Sequence, residues 1–91
     1  MELKDLRNEI DRIDDALVKL FVQRMEIAAK VGAYKKEHQL PIFVPEREQE
    51  KLADVAQKAG SDMAEYTKEL YAAIFELSRS YQSKLMGGDT Q

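Results

Sequence analysis

The sequence predicts an all-α protein with three helices per chain, one of them too long to be covered by its own chain. Three observations carry that prediction. Apolar or aromatic residues recur at alternating steps of three and four from Leu3 to Tyr34, the a and d positions of a heptad. Two shorter segments with helical periodicity follow, set off by Pro41, Pro45 and Gly60. The first pattern is also longer than a compact domain of 91 residues can span.

The first helix is the clearest. Leu3, Leu6, Ile10, Ile13, Leu17, Leu20, Ile27, Val31 and Tyr34 form one stripe. The a position left unfilled, residue 24, holds Arg24. No proline interrupts the stretch before Pro41, and Gly32 is its weak point, costing ~1 kcal/mol relative to Ala. The pattern predicts a helix from about Leu3 to about Glu37. Such a helix is ~50 Å long at 1.5 Å per residue, whereas a compact domain of this size has a radius of gyration near ~13 Å. A second long helix must lie along the stripe, and only another subunit can supply one. A homodimer is therefore expected.

A loop follows, from His38 to Val44, in which Pro41 biases Leu40 out of the helical region. Pro45 suits the first position of a second helix. That helix carries Glu46, Arg47, Glu48, Gln49 and Glu50, then Leu52, Val55, Ala56 and Ala59, and Gly60 predicts its stop. The third helix is expected to start near Ser61 or Asp62, with Asp62 and Glu65 spaced as a capping box. Its apolar face reads as Tyr66, Leu70, Ile74, Leu77, Tyr81 and Leu85. Residues 1–86 thus form one helical domain. Residues 87–91 read as a disordered tail or the start of a linker.

Composition excludes several function classes. With 14 basic and 17 acidic residues, net charge -3 and no basic block, nucleic acid is not an expected partner. The absence of cysteine removes disulfides, thiolate catalysis and cysteine-ligated metals. No apolar run reaches the ~20 residues of a membrane span, and the start Met1-Glu2-Leu3-Lys4-Asp5 is unlike a signal peptide. The cytoplasm is the expected compartment. The single histidine, His38, lies in a loop, so no catalytic triad or histidine-rich metal site is expected around it. No glycine-rich phosphate loop is present either.

What remains is a set of cations and amides. Arg24 sits on an apolar seam, where a charge is costly unless paired or bound to an anion. Alone it is equally well read as a register-setting residue of a helical interface. Lys35 lies eleven residues on, nearly on the same face and ~16 Å along the axis, so the two side chains can hold one ligand between them. A lone lysine there is otherwise a solvated cation favoured by the helix dipole. Arg7 flanks the same seam ~25 Å from Arg24 and can reach such a site only in a partner chain. Its simpler role is an ion pair with Asp11. Glu48 in the first turn of the second helix complements the dipole, while Arg47 beside it opposes the dipole and so points to a bound anion. Ser78 and Gln82 are i,i+4 on the third helix. They are ordinary boundary residues or neutral donors to a ligand lying on that stripe.

Taken in order, Leu6-Arg7, Ile10, Ile13, Asp14, Leu17, Arg24, Val31-Gly32, Lys35, Pro41-Ile42, Pro45-Glu46-Arg47-Glu48, Ser78 and Gln82 resemble the all-helical (AroQ-type) chorismate mutases. The likeness is to the short bacterial form and to the mutase domains of bifunctional enzymes of aromatic amino acid synthesis. It runs to about Lys84. The resemblance implies three helices per chain in an intertwined homodimeric bundle with two active sites. It implies an isomerase that rearranges chorismate to prephenate, with no cofactor, no metal and no covalent intermediate. Arg7 from the partner chain and Arg24 would grip carboxylates. Lys35 would bind a carboxylate and the ether oxygen, to which Gln82 would be the second donor. Arg47 and Ser78 would hold the ring carboxylate, and Glu48 would accept from the ring hydroxyl. One position departs from the pattern. Many relatives carry Asp just before the second-helix proline, where this chain has Val44, leaving only a backbone N–H for the ring hydroxyl.

Two other readings fit parts of the same pattern. An isochorismate pyruvate-lyase shares the fold and a similar cationic site. A non-catalytic helical dimerisation or regulatory module accounts for the heptad. It gives no use to Arg24 on the seam, to Arg47, or to Ser78 with Gln82.

Overall fold

The computed structural model describes residues 2–87. It contains three helices, α1 (Leu3–Glu37), α2 (Pro45–Ala59) and α3 (Ala64–Leu85), and no strand among the described residues. The all-α expectation holds, and α1 has the predicted bounds. Of the expected tail, residues 88–91 lie outside the described residues.

The helix ends follow local chemistry. At the start of α1 the Glu2 N–H donates to Asp5 Oδ2 at 3.3 Å, which satisfies one of the free amides of a helix N-terminus. After α1 the chain reverses through Gln39, the one non-glycine residue with positive φ (58°) among those described. The Leu40 N–H returns to the Lys35 carbonyl at 2.7 Å. Pro45 opens α2 as expected. Gly60 closes it at φ 86°, a conformation that costs glycine little.

The third helix differs from expectation at its start. It begins at Ala64, not at Ser61 or Asp62, and its N-cap, Met63, makes no side-chain cap. The reason is the turn that Gly60 initiates. Met63 N–H bonds to the Gly60 carbonyl at 3.2 Å, which uses residues 61–63 as a connector. Asp62 falls before the cap, so the Asp62–Glu65 box does not form.

Packing runs through α3, which lies against both α1 and α2, while α1 and α2 do not pack on one another. Against α3, α1 presents two small residues, Ala28 and Gly32, both buried. Val55 of α2 is buried too, as are Phe75, Ser78 and Gln82 of α3. The apolar face assigned to α3 is for the most part not the face packed within the chain. Tyr66, Leu70, Leu77 and Leu85 are exposed, and the face packed within the chain centres on Phe75, Ser78 and Gln82. A helix with two apolar faces gives one stripe by periodicity, and the wider stripe is not the one that this chain covers.

The α1 stripe is bare in the same way. Leu3, Leu6, Ile10, Ile13, Leu17, Leu20, Ile27, Val31 and Tyr34 are all exposed. The molecule measures 54 × 25 × 21 Å, with a radius of gyration of 16.2 Å, well above the ~13 Å of a compact domain of this length.

Candidate active site

A cavity of about 400 Å³ opens between α1, the 38–44 loop, α2 and α3, within the usual range for a small-molecule pocket. Apolar walls come from Ile27, Ala28, Val31, Ile42, Val44 and Phe75. Its charged lining is Arg24, Lys35, Arg47, Lys51 and Arg79 against the single carboxylate of Glu48. Ser78 and Gln82 complete it. That charge balance suits an anion carrying more than one negative group.

Each side chain is positioned by its element. Arg24 and Lys35 project from one face of α1, as their spacing predicts. The Arg24 guanidinium donates to Ser78 Oγ at 3.3 Å and lies 5.7 Å from the ring centroids of both Tyr71 and Phe75. The two rings hold a half-buried cation by cation–π attraction without neutralising it. Ser78 Oγ in turn donates to Met25 Sδ at 3.8 Å. The Lys35 ammonium donates to the Ile42 carbonyl at 2.9 Å, which ties the 38–44 loop to α1.

On α2, Val44 is the N-cap, and its carbonyl accepts from the Arg47 and Glu48 N–H groups at 3.1 and 3.2 Å. Arg47 is exposed at the rim, 3.9 Å from Glu50. Such a loose, exposed pair stabilises little, so Arg47 is available to an anion. Glu48 is half-buried, and its Oε2 accepts from Arg79 Nη1 at 2.5 Å. Lys51 pairs with Asp54 at 3.4 Å, and Asp54 pairs with Lys58 at 3.0 Å. These hydrogen bonds, that of Lys58 foremost, hold the Asp54 carboxyl below its ordinary range.

Gln82 is buried, and its Oε1 has no hydrogen-bond partner among the described residues. An unmet buried amide group costs about 1–3 kcal/mol, which a bound ligand can recover. A half-turn of the amide exchanges its oxygen for an N–H₂ donor.

The cavity thus gathers Arg24, Lys35, Val44, Arg47, Glu48, Ser78 and Gln82. Arg7 is not among them. It is exposed on the N-terminal part of α1 and makes no ion pair with Asp11 among the described residues. Two lining cations escaped the sequence reading. Lys51 stands one turn beyond Arg47 on the same helix face, a spacing that would have found it. Arg79 directly follows Ser78, a step of ~100° around the helix, and no spacing on α3 singles it out. No cluster of His, Asp and Glu able to hold a metal ion occurs among the described residues. No described helix is long and apolar enough to cross a membrane.

Comparison with known proteins gives a consistent result. Residues 6–83 match the family described as chorismate mutase type II. The chain is 39% identical over 74 residues to the bifunctional chorismate mutase/prephenate dehydratase of Aquifex aeolicus, covering 81% of this chain and 18% of that protein. It is 54% identical over 46 residues to the T-protein of Haemophilus influenzae, covering 50% of this chain and 12% of the relative. With the T-protein of Enterobacter agglomerans the identity is 47% over 58 residues, 64% of this chain and 16% of the relative. The chain therefore spans less than a fifth of the length of these curated relatives. No solved structure gives a significant match. The match across residues 6–83 of this helical chain places it in the type II chorismate mutase family.

Proposed function

We propose that this chain rearranges chorismate to prephenate, as a homodimer in which each cavity is completed by Arg7 of the partner chain. The observation that carries the reading is the cavity lining. Arg24, Lys35 and Arg47 line one apolar-walled pocket together with the buried amide of Gln82, whose Oε1 has no hydrogen-bond partner among the described residues.

The reaction is intramolecular. A carbon–oxygen bond breaks, a carbon–carbon bond forms, and no atom enters or leaves. The site must hold a flexible dicarboxylate in its compact reactive conformer, which lowers the barrier by orientation. Negative charge grows on the ether oxygen as its bond breaks. Fixed donors aimed there stabilise the transition state more than the ground state. In this reading Lys35 and Gln82 are those donors. Arg24, with Lys35, grips the side-chain carboxylate, and Arg7 of the partner chain holds it from the far side. Arg47 and Ser78 hold the ring carboxylate. Glu48 accepts from the ring hydroxyl, where Val44 offers its backbone N–H in place of a carboxylate. Lys35 leaves a neutral carbonyl, that of Ile42, when it binds, and a charged acceptor is the stronger partner.

The bare stripe of α1 supports the dimer. Nine apolar heptad residues stay exposed along a 35-residue helix. A second copy laid along it covers both that stripe and the exposed face of α3 around Leu70 and Leu77.

The test is direct. The purified chain is mixed with chorismate, and both substrate loss and product are followed. Conversion to prephenate by a dimer establishes the reading. A folded dimer that leaves chorismate untouched but releases pyruvate from isochorismate establishes the lyase instead. Inertness to both leaves a non-catalytic helical module.

A further inference from the structure

Among the described residues, Glu48 is the one carboxylate lining a cavity rich in cations. Left alone, it would be repelled by a dianionic ligand and would swing towards solvent. The structure gives it a single partner, the guanidinium of Arg79 on α3, bound to Oε2 at 2.5 Å. Both side chains are largely sheltered, 31% exposed for Arg79 and 21% for Glu48, so the pair is less screened than a surface ion pair. Arg79 is itself fixed from a third side. Its guanidinium lies over the Phe43 ring, 4.8 Å from the centroid, in the loop that precedes α2. The other lining cations have other contacts, that of Arg47 being loose and exposed. Arg24 donates to Ser78, Lys35 to the Ile42 carbonyl, and Arg47 and Lys51 pair with Glu50 and Asp54.

We propose that Arg79 is a positioning and specificity-determining residue: it pins Glu48 through Oε2, leaves Oε1 as the acceptor for the substrate's ring hydroxyl, and neutralises the carboxylate so that a neutral donor is preferred there over a cationic one. The inference rests on the mutase reading and extends it. Arg79 acts through Glu48 and does not itself touch the reacting atoms. Its planar fork suits this task, because it can bond a carboxylate edge while its face stacks on an aromatic ring. The contact it sets is to the ring hydroxyl, away from the breaking bond, so its loss weakens binding more than the chemical step.

The experiment uses the full chain and four variants: Arg79→Met, which keeps the stem over Phe43, Arg79→Lys, Glu48→Gln, and the double variant Arg79→Met with Glu48→Gln. Circular dichroism and sedimentation check fold and assembly. Kinetics are measured on chorismate and on the analogue with an amine in place of the ring hydroxyl. The expected result is a kcat/KM on chorismate lower by about tenfold in Arg79→Met, mainly through KM, as for loss of a charged hydrogen bond. Arg79→Lys recovers part of that loss. The double variant is no worse than Glu48→Gln alone, because interacting residues are non-additive. Relative preference shifts towards the amine analogue in Arg79→Met, since the freed carboxylate attracts an ammonium. Multiplying effects in the double variant, or an unchanged ratio between the two substrates, overturns the proposal. A purely structural role would depress both substrates alike. If Arg79→Met fails to fold, Arg79→Lys carries the same two comparisons. A wild-type chain without turnover overturns the mutase reading and this proposal with it. Turnover with additive variants overturns this proposal alone.

Discussion

Gly32 of α1 and Gln82 of α3 are packed so closely that a methyl group on Gly32 would stand 3.0 Å from Gln82 Cγ and 3.2 Å from its Cβ. The helix interior would ordinarily favour alanine over glycine by ~1 kcal/mol. That gain is set against crowding worth about 1–3 kcal/mol, and the group that must give way is the buried amide. Gly32→Ala is therefore expected to lower the melting temperature by roughly 0–15 °C while lowering turnover by on the order of tenfold or more, as for a misplaced electrostatic donor. Thermal unfolding and steady-state kinetics on the same preparation check it. Full activity in a stable variant would remove Gln82 from the reacting centre.

Arg24 and Lys35 face one cavity from one helix. Replacing either with alanine removes a donor from a partly desolvated site. Arg24→Ala and Lys35→Ala are each expected to lose on the order of a hundredfold or more in turnover, with helical circular dichroism retained. If both variants keep their activity, the cavity is not the catalytic site.

Arg7 lies outside the cavity of its own chain. If it serves the partner's site, Arg7→Ala and Lys35→Ala each inactivate a dimer of like chains. Mixing the two after dissociation gives half mixed dimers, each with one intact site of two, so about a quarter of wild-type activity returns by the symmetry of the pair. No recovery in the mixture would place Arg7 outside the machinery.

Asp54 bridges Lys51, a cavity residue, and Lys58. Its carboxyl is held below the ordinary range, first by the Lys58 hydrogen bond. A carboxyl with a lowered folded pKa adds stability above its ordinary pKa and loses it as pH falls through the folded value. Asp54→Asn is thus expected to lower the melting temperature slightly near neutrality and not at all in strong acid. Melting curves of both proteins across the acid limb test this; a difference that persists in strong acid would exclude the charge pairing as its cause.

Much of this was legible in the chain. The a/d repeat fixed α1 because 35 residues of one period leave no competing pattern, and Pro45 and Gly60 bracketed α2 by backbone chemistry alone. Arg24 and Lys35 were found together because both lie on one helix, where spacing translates directly into facing. Arg79 escaped because its pairing with Glu48 depends on how α3 sits against α2, which no local period records, whereas Lys51 was missed although its spacing from Arg47 marks it. The capping box at Asp62 failed for a related reason. Gly60 set a turn that shifted the start of α3, and a short motif carries no information about the turn before it. On α3 the periodicity found the face left bare in the single chain and passed over the one packed within it.

The position of α3 as the sole packing partner of both other helices gives the order of synthesis a meaning. A ribosome releases α1 and α2 first, and neither has a surface in the other to settle on. Some sixty residues must wait in the nascent state until the last helix emerges, and only then do Arg24 and Glu48 come to face one space. Domains commonly fold as units as they leave the ribosome; here the unit closes only when α3 is made, so a premature stop at the start of α3 leaves two helices with nothing between them.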